Sequence, residues 1–312
     1  MRAYHFETAM FFKDHTEMGY ASTHRHSLII AHIAAVLFGL TGIFGALIHA
    51  EADIITFGRA VLAILSLALV AQLQRRKLLH QLTLRKLLTM AITGALLAAH
   101  WVSFFIAIKV GGVAVGTLGF SSFPAFIALL ELVLFRERVG SGDALLLVLV
   151  TVGLVLVVPA YDSLDQSTVG LLWGLASGLS FALLTVVNRR HTRGMDALQV
   201  AFWQNTVVAV LLTPVALRHR ELQALAANDW IFLVLLGVFC TGLSQYLFVK
   251  SLEGLEAHSA GMIIALEPVY AIAFAWWLFG EQPTWRMGLG AALIVAATIV
   301  SAWNKSAANE GH

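Results

Sequence analysis

Ten apolar stretches of about 20 residues follow one another from residue 27 to residue 303, and they limit this chain more than any other feature. They fall near 27–48, 54–74, 87–108, 112–134, 142–160, 169–188, 196–217, 230–250, 257–279 and 285–303. A run of that length crosses the hydrocarbon core of a bilayer as a helix, which alone among single segments satisfies its own backbone hydrogen bonds there. The runs are continuous rather than alternating, which argues against a transmembrane barrel. Only 12% of the 312 residues are charged, against roughly 25% in an ordinary soluble domain. No stretch is left over for a soluble catalytic domain. The two shortest connections, Lys109-Val-Gly-Gly112 and Ser251-Leu-Glu-Gly254, are read as breaks because glycine and charge interrupt the apolar run.

The chain also looks duplicated. Residues 123–137 and 267–281 align without a gap, so that Pro124 and Glu137 superpose on Pro268 and Glu281, with a Leu-Phe pair shortly before each glutamate. Each half holds five spans, and an odd number inverts the second half relative to the first. With the N-terminus inside, fifteen lysines and arginines fall in inner segments and four in outer ones, which favours both termini in the cytoplasm. Glu137 then faces the cytoplasm and Glu281 the outside. The expected fold is an all-α membrane protein, ten transmembrane helices in two inverted five-helix repeats, residues 27–160 and 165–303. A cytoplasmic N-terminal tail, 1–26, and a C-terminal tail, 304–312, flank them in the cell (inner) membrane.

The first 26 residues lack the 7–15-residue apolar core of a signal peptide, so span one is read as an uncleaved insertion signal. His5, His15, His24 and His26 have neither cysteine nor regular spacing beside them, and no metal is expected. Cys240 is the only cysteine, which excludes an intramolecular disulfide and any cysteine-based zinc cluster.

Polar groups inside a span are costly and usually face the bundle interior or a water-filled cavity. In span eight Thr241, Ser244, Gln245 and Phe248 recur at helical spacing on one face. Thr241 and Ser244 either line a cavity or bond neighbouring helices, whereas Gln245 offers two donors and an acceptor to a polar solute. In span three His100 and Phe104 share a face with Trp101 beside it. A histidine there either bonds a carboxylate or carries a proton, or makes an interhelical hydrogen bond; the aromatic pair either stacks on a solute or packs. Arg59 in span two costs roughly 2.5–3.5 kcal/mol on insertion scales at a span's centre. It snorkels, pairs with an acid, or clamps a substrate carboxylate with its bidentate fork. Gln204 occupies the matching place in span seven and, with Asn205, supplies uncharged donors.

Glu267 precedes Pro268, whose missing N–H opens the helix at a hinge. Burial favours the neutral form of a carboxyl group, so Glu267 either exchanges protons and couples their movement to a solute, as His100 could, or locks onto Arg59 or His100. Pro124 and Pro268, at equivalent depths, are candidate gates. Gly39, Gly42 and Gly45 in span one and Gly174 and Gly178 in span six give small-residue stripes for close helix contact. Glu137 and Glu281 sit at span ends and are assigned to the fold.

There is no G-x-x-x-x-G-K-[ST] loop, no H-E-x-x-H pair and no selectivity loop, so ATP-driven transport, a membrane-embedded enzyme and a channel are all weak readings. The ten spans, the duplicated segments and the pairs Phe38-Gly39-Leu40 with Trp173-Gly174-Leu175 and Phe57-Gly-Arg59 with Phe202-Trp-Gln204 resemble the EamA family of the drug/metabolite transporter superfamily. The family's Glu-Pro-Val, apolar run, Gly-Glu pattern is reproduced by residues 267–281, and by 123–137 with Phe123 in place of the first glutamate. The resemblance implies a non-enzymatic carrier of small metabolites, often an exporter of amino acids or related compounds, with broad drug or lipophilic-cation efflux as the runner-up. A small-molecule substrate and the lipid bilayer are the partners expected; a cofactor and nucleic acid are not.

Overall fold

The computed structural model describes the backbone of residues 4–80, 82–135, 141–157, 165–192, 195–218, 221–251, 255, 260, 263–264 and 266–310. Side chains are described within those stretches from residue 25 to residue 300, apart from 134–135, 141–143, 157, 221 and 249. Every regular element among the described residues is helical: α1 (Tyr4–Leu47), α2 (Ala52–Leu73), α3 (Leu84–Phe120), α4 (Phe123–Phe135), α5 (Ser141–Val157), α6 (Gln166–His191) and α7 (Ala197–Arg218) in the first two-thirds. There follow α8 (Glu221–Ala224), α9 (Ala227–Val234), a π-helical segment (Leu235–Leu243), α10 (Ser244–Ser251), α11 (Glu267–Phe279) and α12 (Trp285–Glu310). Among the described residues six helical stretches are long and apolar enough to cross a bilayer, and shorter apolar helices lie between and after them.

The break expected at Lys109–Gly112 is present. Gly112 adopts φ +83° and ψ 167° inside α3, a left-handed φ that a side chain disfavours, and splits it into spans three and four. The freed N–H groups of Val113 and Ala114 donate to the Glu281 carboxylate at 3.0 and 3.2 Å. Thus the end of span nine caps the start of span four across the two halves. Glu137, its counterpart, and the proposed break at 252–254 lie outside the described residues.

Spans four and nine share a second interruption. Ser121 and Ser122 form a turn before α4, and Leu266 one before α11; α4 and α11 each run for 13 residues with proline second. At about 1.5 Å per residue, 13 residues cannot cross the hydrocarbon alone. Pro124 and Pro268 therefore stand in the first turn of a half-helix, where the missing N–H would be unbonded anyway. That differs from the expectation of a proline opening the middle of a continuous helix: the opening precedes the proline.

Contacts at the helix ends fix the direction of spans one to four and six to nine. At one face the His49 N–H donates to Asp229 at 2.9 Å, Lys109 Nζ donates to the Ile48 carbonyl, and Glu281 meets Val113. At the opposite face Arg76 pairs with Asp196 at 3.3 Å, Gln199 and Trp203 donate to the Leu78 carbonyl, and Arg189 pairs with Glu131. Span one ends at the Glu281 face, whereas span six starts there, with Gly170 against Gly111. The halves are therefore inverted.

The inversion recurs in the packing. A Cβ added at Gly237 on span eight would stand 2.5 Å from Leu62 Cβ and 3.0 Å from the Arg59 carbonyl on span two. One added at Gly94 on span three would stand 2.5 Å from Val207 Cβ and 3.0 Å from the Gln204 carbonyl on span seven. Arg59 and Leu62 correspond to Gln204 and Val207, so each half lays its second span on the other half's third. Spans one and six behave alike: Gly39 meets Glu267 and Tyr270, and Gly174 meets Gly116 and Gly119. Apolar residues such as Leu65, Leu69, Ile92, Val210 and Trp277 are left on the outside to meet lipid. The result is an all-α membrane protein of ten helical spans in two inverted five-span repeats.

Gly174→Leu inserts a side chain where a Cβ alone would come within 2.9 Å of the Gly116 carbonyl oxygen. It should lower the melting temperature of the detergent-solubilised protein by the several degrees that about 1–3 kcal/mol of overpacking implies. Gly288→Ala, where an added Cβ meets nothing within 4 Å, should not lower it. Glu281→Ala leaves two backbone donors without their acceptor and should cost about 1–3 kcal/mol in the same measurement, with Glu281→Gln recovering part of the loss.

Candidate functional site

Close approach of span two to span eight carries Arg59 into the middle of the bundle, where it is 4% exposed. Its Nε donates to Thr241 Oγ1 at 2.7 Å. Thr241 in turn donates to the Leu236 carbonyl, five residues back, at 2.9 Å. That spacing belongs to the π-helical segment, a rare geometry that often marks functional positions. The guanidinium carbon lies 4.0 Å from the centre of the Trp101 ring and 5.8 Å from that of Phe105, so two aromatic faces stabilise the cation.

No acidic group among the described residues lies within 4.0 Å of Arg59; ion pairs such as His49–Asp229, Arg76–Asp196 and Arg189–Glu131 form elsewhere. Glu267, at the first turn of α11, makes no ion pair with it. The permanent lock of Glu267 onto Arg59 or His100 is therefore not made in this conformation. Arg59 Nη1 is buried and has no hydrogen-bond partner.

Next to this group stands His100, buried on α3. Its Nδ1 lies 2.8 Å from Ser177 Oγ of α6, and that hydroxyl donates to the His100 carbonyl at 3.1 Å. Both bonds form together when Nδ1 carries the proton. Around the imidazole lie Phe120 at 4.9 Å, Phe181 at 5.0 Å and Phe104 at 6.1 Å between ring centres. Phe123, where α4 begins, stacks on Phe120 at 5.2 Å. An aromatic box thus spans the interruption in span four.

The remaining sequence candidates divide. Arg59, Trp101 and Thr241 come together directly, while His100 precedes Trp101 on α3 and Glu267 opens α11. Gln204 donates instead to Asn188 of α6 at 2.9 Å, and Asn205 to the Ala201 carbonyl of its own helix at 2.8 Å. Ser244 bonds back to the Cys240 carbonyl at 2.8 Å. Gln245, one turn beyond Thr241, keeps a buried, unpartnered Oε1, as Asn205 keeps its Oδ1. Sequence reading misses Ser177, Asn188, Phe105, Phe120 and Phe181. Their partners lie many residues away along the chain, and a serine, asparagine or phenylalanine in an apolar span gives no sequence signal of such a contact.

Comparison with known proteins agrees with this architecture. The model of the EamA-like transporter family matches residues 26–158 and 168–303. An uncharacterized transporter of Archaeoglobus fulgidus is 27% identical, over 71% of this chain and 77% of its own. The uncharacterized transporter YwfM of Bacillus subtilis is 26% identical, over 86% and 90% respectively. A protein of Rickettsia conorii named as an S-adenosylmethionine uptake transporter is 22% identical, over 71% and 74%. One solved crystal structure of a protein superposes with a TM-score of 0.61 at 16% identity, covering 88% of this chain and 96% of that one, and shares the fold. The chain belongs to the EamA-like transporter family.

Proposed function

We propose that this chain is a secondary transporter that exports amino acids or related small metabolites by alternating access. The halves 27–160 and 165–303 rock about the buried group formed by Arg59, Trp101 and Thr241. One observation carries the reading: the most costly polar side chain in the bundle sits where the two halves exchange spans, held by a residue from each half's third span. Membrane proteins retain such a group where a solute or ion passes. The two interrupted spans, with Pro124 and Pro268 at the starts of their half-helices, supply places where the bundle can bend. The S-adenosylmethionine named for the Rickettsia relatives is itself an amino-acid derivative, which supports the solute class.

Coupling falls to Glu267 rather than His100. The imidazole is engaged by Ser177 and boxed by phenylalanines, whereas the Glu267 carboxyl stands half-buried at a helix start without an ion-pair partner among the described residues. Efflux of aromatic or lipophilic cations is a second reading, favoured by the same box of Phe104, Phe120 and Phe181. The buried Arg59 charge opposes it. Arg75, Arg76, Lys77, Arg85, Lys86, Arg189 and Arg190 gather near one face, which is assigned to the cytoplasm together with both termini.

Reporter fusions at either end should report a cytoplasmic location; opposite sides for the two ends would contradict the orientation. In proteoliposomes, solute flux should saturate and should quicken under an imposed pH gradient, and Glu267→Gln should abolish the response to the gradient. Equal rates with and without a gradient in the unaltered protein would remove proton coupling.

A further inference from the structure

Arg59 poses a problem that the folded chain leaves open. A buried ion is tolerated when it is paired and its hydrogen-bonding positions are filled. Here Thr241 takes Nε, Trp101 and Phe105 offer their ring faces, and Nη1 has no hydrogen-bond partner. The aromatic faces disperse the charge without neutralising it, and Thr241 is an uncharged acceptor. No carboxyl group among the described residues, Glu267 included, comes within 4.0 Å of the guanidinium. An anion with an acceptor oxygen is what this cation lacks.

We propose that Arg59 anchors the carried solute by its carboxylate, which accepts from Nη1 beside the Trp101 ring. The inference rests on the carrier reading above and names the chemistry of its site. With Nε already committed to Thr241, the guanidinium offers its remaining N–H edge, a planar donor pair that matches the two oxygens of a carboxylate. The neighbouring Gln245 Oε1, one turn beyond Thr241 on the same face of span eight, is an acceptor without a partner. A donor from span two held at Thr241 and an acceptor one turn along span eight suit the carboxylate and ammonium ends of an α-amino acid. A single buried guanidinium supplies too little positive charge for a diphosphate, and it repels a bare organic cation.

The test is equilibrium binding to the purified full-length chain in detergent, read by thermal shift. The probes are L-methionine, L-phenylalanine and S-adenosylmethionine, each beside its carboxylate-free counterpart: L-methioninamide, L-phenylalaninamide and decarboxylated S-adenosylmethionine. Inorganic phosphate is the control anion. At least one acid should bind, with its counterpart weaker by about tenfold or more, the loss expected for a charge-assisted hydrogen bond. Arg59→Gln should lose the same about tenfold, and Arg59→Lys should retain part of the binding. Because the acid and its counterpart are compared on the unaltered protein, the result stands even if Arg59→Gln does not fold. The anchor is overturned if no acid binds, if an acid and its counterpart bind equally, if phosphate binds as well as the acid, or if Arg59→Gln binds undiminished. Saturable proteoliposome flux of tetraphenylphosphonium with no acid binding would overturn the anchor and leave a carrier. Flux of every probe rising linearly with concentration would overturn the carrier reading itself.

Discussion

Backbone contact at glycines holds the two halves of this protein together. Lipid tails are as apolar as leucine, so burying apolar side chains gives helices in a bilayer little reason to associate, and close van der Waals packing must serve instead. The contacts of Gly94, Gly174 and Gly237 with opposing backbone supply that approach across the exchange of spans, and Gly111 with Gly170 continues it toward the Glu281 face. Such surfaces are smooth. With little interdigitation to undo, one half can tilt on the other, which a jigsaw of large side chains would resist.

The polar groups are placed where those smooth contacts converge. Arg59 lies one residue from Gly58, which packs on Leu233, and its carbonyl faces Gly237, so the backbone on both sides of the guanidinium is fixed by helix contact. Its side chain is correspondingly well held by Thr241 and Trp101 while its charge stays uncompensated at short range. Rigid support with an open hydrogen-bonding position is what the proposed carboxylate anchor requires. The Glu281 cap on span four and the Asp229 contact to His49 do different work: the first satisfies a helix start, the second holds the chain just past the end of span one, and both tie the halves at one face.

Much of this was legible in the sequence, for definable reasons. Apolar run length locates the spans because the bilayer sets that length, and the Gly-Gly pair at 111–112 announces a break because glycine alone takes a positive φ without strain. The duplicated proline and glutamate foretell matching half-helices. Their exact effect was not readable: a proline opens a helix or begins one, and the turn at Ser121–Ser122 decides which. The π-helical spacing at Thr241 has no sequence period of its own. The alignment of Gln204 with Arg59 does not reveal that its amide donates to Asn188 of α6, because that contact joins two helices whose packing the sequence does not state. Glu281 was assigned to the fold, and its two bonds to Val113 and Ala114 give that assignment a physical content.

The central claim is that inverted halves move reciprocally about a fixed centre. Spin labels at the exposed positions 51 and 282, one in each half near the Glu281 face, and at 79 and 191, one in each half near the Arg76 face, report that motion as two distances in proteoliposomes. Addition of a transported solute should shift both distance distributions in opposite senses, one pair separating as the other closes. Distributions that stay fixed, or that widen together, would contradict it.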